Sequence, residues 1–125
     1  MIDKSVEELL IRAVHSDNVA KQFFKSNLSD RSLLEKIIAI VEESESGDAR
    51  MKGAYWISQF DEALLAHVEP QLLKLMDDEW DSVAVHIMLA LSKIKSEQAL
   101  EKILDNRVKP VLYWEALAIK NYLTK

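Results

Sequence analysis

One helical pattern occurs twice in the middle of the chain, with an offset of 34 residues. The first copy places small or apolar residues at Ala49, Gly53, Trp56, Ile57 and Phe60. The second copy places apolar residues, with the same steps of four, three, one and three, at Val83, Ile87, Ala90, Leu91 and Ile94. Because these steps follow the period of an α-helix, each set lies on one helical face. The sequence therefore predicts two helices that bury equivalent faces.

A shorter apolar run follows each of these helices, over residues 72–77 and 100–105, and each run ends in an aspartate. A pair of helices that recurs about every 30–40 residues is typical of an α-solenoid. We predict helices over residues 49–60, 70–76, 82–94, 97–105 and 110–123. The last of these is a candidate third copy of the pattern, in which Glu115 is the one polar member, as expected for the outer face of a terminal repeat.

Residues 1–47 have helical spacing but match no copy of the pattern. We predict three helices there, because polar residues that can cap a helix precede each apolar stretch. The predicted caps are Ser5 for the first helix, the segment 16–18 for the second, and Ser29 or Asp30 for the third. This N-terminal third is either a helical cap or a divergent repeat.

Two breaks in the helical pattern are marked by their composition. The segment 42–48 is rich in Glu and Ser and reads as a linker. We predict that Gly47 ends the helix before it and that Asp48 caps the helix after it. The second break is predicted near residues 67–69, because Pro70 cannot continue a helix interior but suits a first turn.

The composition favours an all-α fold. Two glycines and two prolines in 125 residues are too few for the turns of a sheet-rich protein. Good helix formers dominate the chain. The length fits a single domain over residues 1–125, with the cap or divergent repeat in 1–47 and the repeats in 48–125.

Several classes of site and location are excluded or disfavoured by simple absences in the sequence. The chain has no cysteine, which excludes disulfides, thiolate metal sites and cysteine nucleophiles. Asp3, Glu7 and Glu8 interrupt the N-terminal apolar residues, so this segment does not have the form of a signal peptide. No apolar run reaches the roughly 18–20 residues that a membrane span needs. We expect a cytoplasmic protein.

The alternation of helices resembles HEAT-like repeats over about residues 48–124. The family pattern has an acid near the start of the first helix, with alanine and aliphatic residues inside, and a second helix with a Leu-Leu-x-Leu run that ends in Asp. The matching positions here are Asp81, Val83, Ala90, Leu91 and Ile94 for the first helix, and Pro70, Leu72, Leu73, Leu75, Met76 and Asp77 for the second. The resemblance implies a short right-handed α-solenoid of helix pairs with an N-terminal helical cap. One departure is Trp56, which stands where the family has a small residue.

A short, acidic, cysteine-free helical chain of this kind is also similar to bacterial immunity proteins of contact-dependent inhibition systems. Some of those proteins are HEAT-like. The resemblance implies a non-enzymatic inhibitor that binds a toxin domain. It lies in size, charge and helical composition, so no residue of that family is assigned to a position here.

Acidic residues are concentrated in the middle of the chain, where residues 48–81 carry a formal net charge of −5. Acidic loops between repeats would lie along one rim of a solenoid and steer a basic partner toward it. Trp80 stands among these acids, and tryptophan is enriched at binding hot spots, although it could instead cover the core. The predicted partner-binding residues are Glu42, Glu43, Glu45, Asp48, Asp77, Asp78, Glu79, Trp80 and Asp81.

The predicted partner is a protein, a basic toxin or nuclease domain, rather than a membrane, a nucleic acid or a small molecule. We predict no catalytic, cofactor-binding or metal-binding residue. The histidines His15, His67 and His86 lack helical metal-pair spacing, and residues 77–82 lack the glycine that an EF-hand loop requires at its sixth position. Two alternatives remain, a HEAT-like nucleic-acid-binding or DNA-repair protein that uses the basic C-terminal segment, and a helical adaptor subunit of a larger assembly.

Overall fold

The computed structural model describes residues 2–104, with the backbone alone for Leu100, Ile103 and Leu104. Over this range the chain forms eight helices and no strand, which confirms the all-α prediction. The helices are α1 (Lys4–Val14), α2 (Asn18–Lys25), α3 (Arg31–Glu43), α4 (Gly47–Ile57), α5 (Glu62–His67), α6 (Glu69–Leu75), α7 (Asp81–Lys93) and α8 (Glu97–Leu104). The predicted helix over 110–123 and the candidate third copy lie outside the described residues.

No helix within residues 2–104 combines the length and apolar character needed to cross a membrane.

Most helix boundaries follow the sequence signals closely. The break before Pro70 is confirmed, because α5 ends at His67 and α6 carries the proline in its first turn. Ser96 caps α8 as predicted, since its hydroxyl accepts a hydrogen bond from the Ala99 N–H at 3.1 Å. Asp30, rather than Ser29, caps α3 by accepting the Leu33 N–H at 3.1 Å. Short polar side chains thus satisfy free amides where the pattern indicated.

Two of the predicted caps are wrong. Helix α1 is capped by Asp3 and not by Ser5, because the Asp3 carboxylate accepts the N–H groups of both Ser5 and Val6 at 3.1 Å. Hydrogen bonds from the Ser5 hydroxyl and the Val6 N–H lower the pKa of Asp3 to about 2.

At the linker, Gly47 is the first residue of α4 rather than the end of α3. The cap of α4 is Ser46, whose hydroxyl accepts the Ala49 N–H at 3.2 Å, and not Asp48. Asp48 instead lies in the first turn of α4, where a negative charge is favourable beside the partly positive helix N-terminus.

Helix α4 lies at the centre of the described fold and packs against α1, α3 and α7. Nine of the ten positions of the repeated pattern are buried, and Ile94 is partly buried. Trp56 of α4 is buried and stacks on Phe24 of α2 with ring centroids 5.4 Å apart. Tyr55, its neighbour in sequence, is only partly buried. The residues of the repeated pattern therefore contribute to the hydrophobic core from both α4 and α7.

Helices α4 and α7 run parallel, side by side. Three of the residue pairs that meet, Gly47 with Trp80, Tyr55 with His86, and Phe60 with Lys93, are separated by 31 to 33 residues, close to the sequence offset of 34. The two helices therefore run in the same direction, with a register close to the sequence offset.

Helix α1 contacts α4 in the opposite order. His15 lies near Asp48 at the start of α4, whereas Leu10 lies beside Gly53, farther along the helix. The two helices are therefore antiparallel. The N-terminal segment does not continue the parallel arrangement of α4 and α7.

Gly53 allows α3 and α4 to approach closely. A Cβ at this position would lie 2.7 Å from Val41 Cγ2 and 3.3 Å from Ile37 Cγ2. Both methyl groups belong to β-branched residues of α3, whose χ1 angles are restricted in a helix. The neighbours therefore cannot move aside by simple rotation.

We expect Gly53→Ala to lower the free energy of unfolding by about 1 kcal/mol, measured by urea denaturation. The substitution gains about 1 kcal/mol of helix propensity, but overpacking costs about 1–3 kcal/mol. In a Val41→Ala background the substitution should cost less, because the closest methyl group is gone. An equal cost in both backgrounds would contradict this assignment.

Helices α1 and α7 end in the same kind of turn. Ser16 and Lys95 each adopt a left-handed conformation, with φ values of 65° and 52°. The next amide in each case bonds back across the helix end, Asp17 N–H to Arg12 O at 3.2 Å and Ser96 N–H to Leu91 O at 3.1 Å. This is the position at which helices usually place glycine.

We expect Ser16→Gly and Lys95→Gly each to raise the free energy of unfolding by about 0.5–1 kcal/mol, because glycine removes the cost of the left-handed conformation. Thermal and urea unfolding would measure the gain. The matched control is Ser32→Gly, at an exposed position inside α3, which should destabilise by a similar amount. A loss of stability at Ser16 and Lys95 would contradict the strain assignment.

Candidate protein-binding edge

The linker before α4 and the loop before α7 lie next to each other. The ring of Trp80, in the second loop, lies directly against Gly47 at the start of α4, so that a Cβ on that glycine would overlap it. This adjacency follows from the parallel packing of α4 and α7, which brings their N-termini to one side of the fold. We call the surface formed by the nine predicted partner-binding residues the acidic edge.

Arg50 connects the two segments of the acidic edge, the one that precedes α4 and the one that precedes α7. Its Nε donates a hydrogen bond to the Val41 carbonyl oxygen at 2.9 Å, and its Nη2 forms an ion pair with Asp78. The guanidinium carbon lies 5.4 Å from the centroid of the Trp80 ring, within the range of a cation–π interaction. One side chain of α4 therefore holds the end of α3, the loop before α7 and the tryptophan.

Asp78 has a structural role in this arrangement. Its side chain is 7% exposed and that of Arg50 is 13% exposed, so the pair is largely removed from water. The second function of Asp78 is local, since its Oδ1 accepts the Trp80 N–H at 2.8 Å. Asp78 is predicted to contact a partner, but its carboxylate is largely buried and paired with Arg50.

Trp80 both covers the junction and remains accessible. One part of the ring lies against Gly47 and next to the Arg50 guanidinium, while 39% of the residue is exposed. The contact with Gly47 agrees with the interpretation of Trp80 as a covering residue, and its role as a binding hot spot stays a prediction. A tryptophan held by a glycine and an arginine is a rigid apolar surface that a partner can contact without much loss of side-chain entropy.

The other acids of the edge differ in their partners. Asp77 pairs with Lys102 at 2.7 Å, and Asp48 Oδ2 lies 3.8 Å from His15 Nε2. The remaining carboxylates of the edge are exposed and belong to Glu42, Glu43, Glu45, Glu79 and Asp81. Of these, Glu42, Glu45 and Glu79 make no hydrogen bond or ion pair with another residue of the described range.

The charge of the edge is strongly negative. Eight of its nine residues are carboxylates, and Arg50 and Lys102 pair with two of them, Asp78 and Asp77. Exposed like charges on a rigid surface attract a basic partner over about a Debye length, roughly 8 Å at physiological salt. The surface can therefore speed association with a cationic protein and orient it.

The structure offers little for the other kinds of site. Among residues 2–104, no group of three or more His, Cys, Asp or Glu side chains could hold a metal ion. His86 donates from Nδ1 to the Ser82 carbonyl oxygen at 2.8 Å and packs edge-on against Tyr55. Both features are ordinary for a histidine at a helix surface.

Two of the C-terminal cations are used internally. Lys93 Nζ donates to the carbonyl oxygens of Ser58 and Phe60, at 3.0 and 2.8 Å. Lys102 Nζ donates to the Leu73 carbonyl oxygen at 3.1 Å in addition to its pair with Asp77. Lys95 is exposed, and Arg107 and Lys109 lie outside the described residues. The basic C-terminal excess is thus partly engaged in joining helices.

Sequence reasoning missed the two residues that assemble the edge, Gly47 and Arg50. Gly47 was assigned to the end of α3, and Arg50 has no pattern that distinguishes it from any surface arginine. A basic residue two positions after an acidic linker is a weak signal by itself. Its partner Asp78 is 28 residues away, so only the packing of α4 on α7 reveals the pair.

We expect Arg50→Met to lower the free energy of unfolding by about 3 kcal/mol, because it leaves the largely buried carboxylate of Asp78 without its cation. Arg50→Lys should also destabilise, since one ammonium cannot reproduce the geometry of both guanidinium contacts. Denaturant unfolding would measure the changes.

The double variant Arg50→Met with Asp78→Asn is the matched control. It keeps an acceptor for the Trp80 N–H and removes the unpaired charge, so it should be more stable than Arg50→Met alone. If the double variant were less stable than the single one, the ion pair would not be the reason for the loss.

No protein-family model, curated protein or solved structure matches this chain. The fold class and the geometry of the acidic edge are therefore the basis for any statement about function.

Proposed function

We propose that the chain is a non-enzymatic protein-binding module, an immunity-type inhibitor that neutralises a basic, nuclease-type toxin domain by covering its active site with the acidic edge. The observation that carries the proposal is that the two acidic loops lie side by side. Arg50 joins them through its contacts with the Val41 carbonyl oxygen, the Asp78 carboxylate and the Trp80 ring. A nuclease has a basic cleft because it binds phosphates. A rigid row of carboxylates is complementary to such a cleft.

The rigidity of the edge supports this role. Binding costs free energy for every loop or side chain that becomes ordered in the complex. The loop before α7 is already tied to α4 through Asp78, and to α8 through Asp77 and Lys102. The entropic cost of ordering this loop on binding a partner is therefore small.

We propose in addition that the architecture is a short right-handed HEAT-like α-solenoid. The helices α4 and α7 would be the first helices of two repeats, followed by α5–α6 and by α8, with residues 1–47 as an N-terminal cap. The parallel register of α4 and α7 at nearly the sequence offset supports the stacking. The antiparallel placement of α1 supports a cap rather than a further repeat.

The unusual tryptophan of the first pattern helix fits this arrangement. Trp56 stands where the HEAT-like pattern has a small residue, and it packs on Phe24 of α2. A large residue is needed there if the neighbour is a cap of different geometry. The departure from the family pattern then has a packing reason.

The alternative of nucleic-acid binding has less support. Lys93 and Lys102, two of the cations that favoured it, are hydrogen-bonded within the fold. The acidic edge would repel a phosphate backbone. No observation specifically favours an adaptor subunit.

The test begins with affinity capture on the immobilised full chain from a lysate of the source cells and their close relatives. We expect retention of a basic nuclease-type toxin domain, whose activity the chain inhibits at equal molar amounts. The double variant Glu45→Lys with Glu79→Lys should bind that domain at least about tenfold more weakly, because two unpaired carboxylates of the edge are reversed. The association rate of the wild type should also fall as salt is raised.

The matched control is Glu62→Lys with Glu97→Lys. These glutamates are exposed and lie at the starts of α5 and α8, away from the edge, and the change in net charge is the same. Circular dichroism would show that both double variants fold. Equal weakening by the two double variants would mean that net charge matters and the edge does not, and retention of nucleic acid alone would overturn the proposal.

A further inference from the structure

A shallow groove opens beside the acidic edge, on the surface shared by three helices. Its volume is about 260 Å³, and its lining consists of Val14 of α1, Met51, Lys52 and Tyr55 of α4, and Ser82 and His86 of α7. We call it the three-helix groove. None of its residues belongs to the edge, although two of them follow edge residues closely along the chain.

The lining of the groove is mostly apolar, with Lys52, Ser82 and His86 as its polar members. The Tyr55 and His86 rings meet edge to face, with centroids 5.8 Å apart. Lys52 Nζ lies 4.9 Å from the centroid of the Tyr55 ring, so its charge rests on an aromatic face and its stem lies along the wall. Met51 adds a polarizable thioether, which packs well against aromatic rings.

The size of the groove limits what it can hold. Sites for cofactors and drug-sized ligands are usually about 300–1,000 Å³ and enclose most of the ligand. This groove is smaller than that range and open to solvent. It fits one large side chain better than a separate small molecule.

The position of the groove indicates whose side chain it would hold. Met51 is one helical turn beyond Asp48, and Ser82 directly follows Asp81. A chain whose cations lie on the acidic edge would therefore present its neighbouring side chains to the groove. Charge complementarity on the edge restricts the occupant to a basic protein segment.

We infer that the three-helix groove is an anchor pocket for one aromatic side chain, carried on a basic segment of the protein partner that the acidic edge attracts. The inference rests on the proposed function for the charge of the partner. An aromatic occupant fits best because four of the six lining residues, a tyrosine, a histidine, a methionine and a lysine, interact favourably with an aromatic ring. Binding hot spots have this form, with an aromatic anchor in a pocket surrounded by polar contacts.

The test uses short synthetic peptides titrated into the ¹⁵N-labelled full chain. The first peptide consists of Lys and Arg with one central Trp, the second replaces that Trp by Ala, and the third keeps the Trp but replaces the cations by Glu. We expect the first to bind about tenfold more tightly than the second. Both basic peptides should shift amide signals of the edge, and only the first should shift those of Met51, Tyr55 and His86.

The outcomes separate the groove from the proposed function. Equal affinity of the Trp and Ala basic peptides, with shifts confined to the edge, would overturn the anchor pocket and leave the proposed function standing. Binding of the Glu peptide as tight as that of the basic Trp peptide would overturn both the basic occupant and the proposed role of the edge. Absence of shifts with every peptide would overturn both.

A variant that fills the groove provides the second measurement. Ser82 is exposed in the first turn of α7 and lines the groove, so Ser82→Trp should occupy it without burying a polar group. We expect this variant to lose the difference between the Trp and Ala peptides. Ser32→Trp, at an exposed position of α3, is the matched control and should keep it, whereas an unchanged preference in Ser82→Trp would contradict the inference.

Discussion

The packing of α4 between α1, α3 and α7 is the constraint on which the rest of the described structure depends. A helix that packs against three others needs small side chains where its neighbours are close. In α4 these are the buried residues Ala49, Gly53 and Ala54. It must also fill the wider space, which Trp56 does by stacking on Phe24. The alternation of very small and very large residues on one helix reflects neighbours at different distances.

The candidate binding surface is a consequence of that packing. Because α4 and α7 are parallel, the segments that precede them come to the same side, and their carboxylates combine into one field. Such a concentration of like charge works against the fold, and the structure offsets part of it by the cations of Arg50 and Lys102. The carboxylates therefore differ in their surroundings, since Asp78 is paired within the fold whereas Glu45 and Glu79 are exposed.

Arg50 illustrates why a largely buried ion pair can matter at a binding surface. Such pairs are weak evidence for stability, since the loss of hydration offsets the attraction. Their geometry is nevertheless specific, and here the guanidinium contacts a carbonyl oxygen, a carboxylate and an aromatic ring from three segments of the chain. This arrangement joins the end of α3, the start of α4 and the loop before α7.

Local signals were sufficient for much of the fold. The periodicity of apolar residues identified α4 and α7 and their buried faces, and capping residues located the starts of α3 and α8, because both signals act within one or two turns of a helix. The failures were also local in origin. Asp3 and Ser5 can both cap a helix, and the sequence does not distinguish them. Glycine usually stands at the end of a helix, whereas Gly47 lies at the start of α4 and accommodates the distant Trp80.

The sequence by itself determined that the chain is helical, where most of the helices begin and end, and that its acids are concentrated around two segments. Only the tertiary structure decided that those two segments meet, that Asp78 turns inward to Arg50, and that a groove opens beside them between three helices. The physical reason is that helix formation and charge are properties of neighbouring residues. Adjacency of loops, the burial of one carboxylate among several and the shape of a surface depend instead on contacts between residues about 30 positions apart, such as Gly47 and Trp80, which exist only once the helices have packed.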